Sequence, residues 1–227
     1  MSREYGETWV YESLVGGLPG LDLSTRAAVA IQLGLFQTGV LLLGWYYGLW
    51  DAVLAGTVAV LVATGGSVAM RRLGDGYRAL DGTGVHTRLL FGSSIEIVLG
   101  ILAFIGLVTV LFVGDTTLVT TLFGDDPPAP AVFLTLLILW DLCYRIGTAW
   151  WAAVVACWRG FAVSLPTASA RQAIRLDAGN VAFGGLQLAL VPFLTAEPLL
   201  LGAVLGHVLA VAVVSSTAAA ATWRNRS

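Results

Sequence analysis

Apolar residues run along the chain in blocks of about twenty, the length that crosses a bilayer core of ~30 Å as an α-helix. The blocks fall at 26–49, 52–70, 89–113, 130–158, 178–196 and 199–223, with short polar turns between most of them. They predict six spans, preceded by an N-terminal segment 1–25 and followed by a tail 224–227. The expected fold class is therefore all-α: one polytopic transmembrane helical bundle with no sizeable soluble domain.

Details at the block ends agree with this reading. Asp22 and Ser24 offer capping oxygens just before the first block. Tyr5 and Trp9, four residues apart, would share one face of a short helix at the membrane interface. Trp45, Tyr46, Tyr47 and Trp50 close the first span as an aromatic belt. The block 130–158 is long for a bilayer and must tilt or project. Glu4, Glu7 and Glu12 stand in the first 25 residues with no apolar run, which argues against a cleaved signal peptide.

Composition strengthens the membrane assignment. Hydrophobic residues make up 57% of the chain and charged residues 11%, against about 25% charged in soluble domains. So few charges cannot cover a water-facing surface. All twelve basic residues are arginine, which excludes any Schiff-base chemistry that needs a lysine amine. A net charge of −2 gives no nucleic-acid partner.

The distribution of charge orients the bundle. Arg3, Arg26, Arg71, Arg72, Arg78, Arg88, Arg159, Arg171, Arg175, Arg224 and Arg226 all fall on one side of a six-span layout. The other side carries Asp51, Asp115, Asp125, Asp126 and Glu197 and no base. Arginine stays cytoplasmic near span ends, so both termini are expected inside, in a plasma-membrane protein. Arg145 is the exception, lying within span four.

Small residues at four-residue spacing suggest packing faces, because helices in lipid associate by close backbone approach. Ala30, Gly34 and Thr38, then Ala55, Ala59 and Ala63, then Gly202, Gly206 and Ala210 form such stripes. They would serve neighbouring helices, a second copy of the chain or a membrane partner.

Candidate chemistry comes from polar side chains inside the spans, each costing roughly 2.5–3.5 kcal/mol on insertion scales when charged. Asp141 and Arg145 are four apart, so carboxylate and guanidinium share a helical face. Glu96 lies about 10 Å into span three on a stripe with Ser93 and Gly100, and needs protonation, hydration or a partner from another span, Arg145 being one. His207 in span six and Gln187 in span five sit near mid-membrane. These five residues are the candidate intramembrane site. Each also has a purely structural reading as an ion pair or interhelical hydrogen bond.

Several classes are excluded. Two histidines and two cysteines, scattered over loop and spans, give no metal-ligand spacing and no haem pair. Cys143 and Cys157, in one helix about 21 Å apart, cannot bridge each other. The glycine-rich stretch 71–88 reads as a cytoplasmic loop. Its Asp75-Gly76-Tyr77-Arg78-Ala79 has the wrong order and spacing for the metal-binding motif of CDP-alcohol phosphotransferases. Phosphate-binding loops, nucleophile elbows and HExxH are absent, so no cofactor and no catalytic residue is expected. Two functions remain. The leading one is a small permease or channel-like protein with a polar interior. The alternative is a non-catalytic membrane subunit or scaffold.

Overall fold

The computed structural model describes Thr8, Trp9, residues 24–80 and residues 84–227. The expectations placed on Tyr5, on the N-terminal acids and on Asp22 lie outside the described residues. Ser24 does cap the first helix, α1 (Thr25–Tyr47), its Oγ accepting the Ala27 N–H at 3.2 Å. Gly48, at φ 72°, ends α1 in the left-handed conformation that glycine adopts without strain. The chain turns at once into α2 (Trp50–Arg78).

Next come α3 (Gly84–Gly92) and α4 (Ile95–Val113). They continue one another across a break at Ser93 and Ser94, where Ser94 takes φ 53°. A short α5 (Leu118–Phe123) precedes the long α6 (Ala129–Ala162). Next is α7 (Thr167–Gly185), which runs directly into a 3-10 segment, Leu186–Phe193. The last helix, α8 (Pro198–Arg224), starts on a proline whose missing N–H costs nothing there. No strand occurs among the described residues.

Among the described residues, five helical stretches are long and apolar enough to cross a membrane: Arg26–Tyr47, Trp50–Arg78, Gly84–Val113, Ala129–Ala162 and Pro198–Arg224. The sixth apolar block, 178–196, is built differently. It is shared between the end of α7 and the 3-10 segment, which contains Pro192. The expected loop 71–88 and the polar interval 159–177 between two apolar blocks are also largely helical among the described residues. Helix α2 carries on through Arg78, α6 reaches Ala162, and α7 begins at Thr167. A span boundary drawn from hydropathy stops at the first charge, whereas backbone hydrogen bonding does not.

Helix α6 is the axis of the bundle, with α1, α2, α3, α4, α7 and α8 all packed against it. Its tightest contacts are backbone on backbone. A Cβ on Gly147 would stand 2.3 Å from the Glu96 carbonyl oxygen of α4, and one on Gly100 would stand 3.0 Å from Tyr144 Cα. On another side, a Cβ on Gly160 would stand 2.7 Å from the Ala218 carbonyl oxygen of α8. The expected small-residue stripes are used less. Gly34, Gly202 and Gly206 meet no neighbouring atom within 4 Å of where a Cβ would lie.

Polarity runs inside out. Large apolar side chains face outward along the helices, among them Leu35, Leu54, Leu102, Ile105, Phe133 and Leu209. Glu96, Asp141, Arg145, Arg159 and Asp177 are all buried. In water this arrangement would waste the hydrophobic effect and desolvate charges. In lipid it is the expected one.

Candidate functional site

Asp141 and Arg145 form the pair that their spacing implies. The guanidinium contacts both carboxylate oxygens, with Nη2 at 2.8 Å from Oδ1 and 2.7 Å from Oδ2 and Nε at 3.1 Å from Oδ2. The same Nη2 donates to Ser67 Oγ of α2 at 2.9 Å, and Ser67 in turn donates to Gln32 Oε1 of α1 at 2.9 Å. One ion pair on α6 is thereby tied to two other helices. Gly66 makes this approach feasible, since a Cβ there would lie 2.5 Å from Arg145 Cδ. Glu96 is fully buried in the first turn of α4, against the part of α6 that carries Gly147.

A second buried ion pair lies at the arginine-rich end and was not foreseen. Arg159 Nη2 of α6 donates to Asp177 Oδ2 of α7 at 2.6 Å, and both side chains are 0% exposed. His86 of α3 approaches with Nε2 3.4 Å from Arg159 Nη1. Guanidinium can only donate, so Nε2 accepts and the imidazole proton sits on Nδ1. Tyr77, fully buried near the end of α2, packs its ring 5.5 Å from that of His86. Four helices thus meet at Tyr77, His86, Arg159 and Asp177. Burial pushes the Asp177 carboxyl up to about 6, while the Arg159 guanidinium pulls the other way. Trp9 closes this end edge-on against Phe91, 5.1 Å between ring centres, and is buried rather than displayed at an interface.

The third feature is a chamber of about 640 Å³ in the other half of the bundle. Its walls are almost wholly apolar, drawn from α1, α2, α4, α5, α6, the 3-10 segment and α8. Leu102 and Leu199 on its border are more than half exposed, so it opens on the apolar flank. Its few polar liners include Gln187 and His207. Gln187 Nε2 reaches the Leu142 carbonyl at 3.5 Å. Neither ring nitrogen of His207 has a hydrogen-bond partner among the described residues.

The five sequence candidates are thus distributed over different places. Asp141 and Arg145 join Ser67 and Gln32, Glu96 lies in the α4–α6 contact, and Gln187 and His207 share the chamber. Among the described residues no group of three or more His, Cys, Asp and Glu could hold a metal ion. Both Cys143 and Cys157 are free thiols.

This fold and its lipid-type surface define a multi-pass helical membrane protein. The family model that matches residues 4–218 is described as a family of unknown function (DUF7530), and the chain belongs to that family. Neither the curated proteins nor the solved structures contain a match.

Proposed function

We propose that the protein is a membrane-embedded binding protein or permease for a hydrophobic solute, held in the chamber beside His207. The observation that carries this reading is the chamber itself. A volume of about 640 Å³ lies within the roughly 300–1,000 Å³ of small-molecule sites, which are mainly apolar with a few polar anchors. An ion or proton path would need polar walls, and Asp141 and Arg145 are engaged with each other instead. The cargo in this proposal is therefore a hydrophobic solute and not an ion or proton. The test is Gly106→Phe. Gly106 borders the chamber and a Cβ there meets no atom within 4 Å, so the ring can enter the empty space. In lipid nanodiscs the variant should lose saturable binding of tritiated hexadecane yet keep its thermal stability. Equal binding by variant and wild type would favour a scaffold, in which the buried polar residues serve only to hold helices together.

Six spans with both termini cytoplasmic are part of the same proposal. Support comes from the arginine distribution and from the length of the fifth apolar block. A 3-10 helix rises about 2.0 Å per residue against 1.5 Å for α, so residues 178–193 cover about 28 Å. That is close to the ~30 Å of the hydrocarbon core. Single cysteines replacing Ser24 and Ser227, in a background lacking Cys143 and Cys157, should both resist an impermeant maleimide until the cells are opened. Labelling of only one in intact cells would mean an odd number of spans.

A further inference from the structure

On α8 the residues facing the chamber are Leu199, Leu200, Ala203, Val204 and His207. They form one helical stripe that is apolar until its last member. His207 stands at the deep end beside Trp150, 6.4 Å between ring centres. Its Nε2 looks toward Gly184, which has no side chain to bond it, lying 3.5 Å from where a Cβ would be. Burying an imidazole with both nitrogens unbonded is costly, and native structures rarely tolerate it without a ligand or water. Both nitrogens are buried and Nε2 faces Gly184 rather than the chamber, so His207 bonds a guest only when its ring turns about the Cβ–Cγ bond.

The shape of the chamber limits what can fill it. It borders α6 from Ala131 to Trp150, a length of about 28 Å. An elongated guest lying along α6 therefore suits it better than a compact one. A charged head could not be carried to the deep end without a counter-ion. A bilayer phospholipid entering tail-first would place a methyl group against His207 and leave its nitrogens unbonded. Resting on the reading of the chamber as a ligand site, we infer that its ligand is a single-chain lipophile entering head-first, with a neutral hydroxyl or carbonyl oxygen hydrogen-bonded to His207. A neutral imidazole serves both heads, donating to a carbonyl from N–H or accepting from a hydroxyl at the bare nitrogen.

The experiment compares tritiated hexadecan-1-ol, hexadecan-2-one and hexadecane on the protein in nanodiscs, with protein-free discs as blank. Wild type should prefer a headed chain over hexadecane by roughly two- to tenfold, the worth of one net hydrogen bond. His207→Leu should erase that preference while leaving hexadecane binding in place. His207→Phe, which keeps a ring against Trp150, should do the same if the leucine variant does not fold. A preference that persists in either folded variant overturns the inference. If Gly106→Phe excludes all three chains and the His207 variants alter none, the chamber stands and the head-group inference fails. If Gly106→Phe alters nothing, the chamber reading itself falls. The alcohol and ketone arms separate the two sources of the oxygen, because the head that binds in the membrane is the one whose affinity depends more on His207.

Discussion

Asp177→Leu should be among the most damaging single substitutions in the protein, costing about 3–5 kcal/mol as measured by thermal unfolding in mild detergent. It strands the Arg159 guanidinium at 0% exposure, and arginine does not deprotonate in proteins. The opposite change, Arg159→Met, should cost less. It leaves a carboxyl that can take up a proton, and burial already pushes Asp177 in that direction. The double variant should recover most of the loss, since a buried pair replaced by apolar side chains of similar volume is often neutral. The order of stabilities is then double variant, Arg159→Met, Asp177→Leu. Finding Asp177→Leu as stable as Arg159→Met would show that water reaches this site.

Asp141→Leu should come close behind, at about 3 kcal/mol or more, because it too leaves a buried arginine without its carboxylate. Arg145 keeps its donation to Ser67, and through it the link to Gln32. Adding Ser67→Ala to Asp141→Leu should therefore cost more than Ser67→Ala does alone. A double-mutant cycle over these two positions measures that coupling, and strict additivity would mean that Ser67 contributes nothing to holding the guanidinium.

The contrast between the two ion pairs explains what was legible in the sequence. Asp141 and Arg145 are four apart on one helix, and helix geometry alone brings them together. Arg159 and Asp177 come from different helices, and His86 and Tyr77 from two more. Nothing in their spacing predicts a meeting. Their charges also sit at the ends of apolar blocks, where an arginine or aspartate looks like a marker of the aqueous loop. The usable signal was the absence of proline from Arg71 to Arg78, which lets α2 run on through Gly74 and Gly76 and carry Tyr77 inward.

Packing shows a similar division. Gly34, Gly202 and Gly206 have the expected spacing but a Cβ at any of them would meet no atom within 4 Å, whereas the close crossings use Gly100, Gly147 and Gly160. Spacing identifies which glycines could meet a neighbour; only the partner helix decides which do. The chamber was hidden for a related reason. It is bounded by ordinary Leu, Val and Ala from six helices and one 3-10 segment, residues that look the same in sequence whether they surround a void or fill a core. The all-helical architecture was readable because each apolar block carries its own length.

One wall of that chamber is the 3-10 segment, which supplies Gln187, Leu190 and Phe193. Eight residues in 3-10 form stand about 4 Å longer than the same eight wound as α-helix. Pro192 within it offers no N–H, so the wall is held by fewer and poorer hydrogen bonds than its neighbours. The length of this wall is thus set by how its backbone is wound as well as by the bulk of its side chains. On the proposed reading of the chamber as a ligand site, winding this segment as α-helix would shorten that wall by about 4 Å and exclude the longest guests.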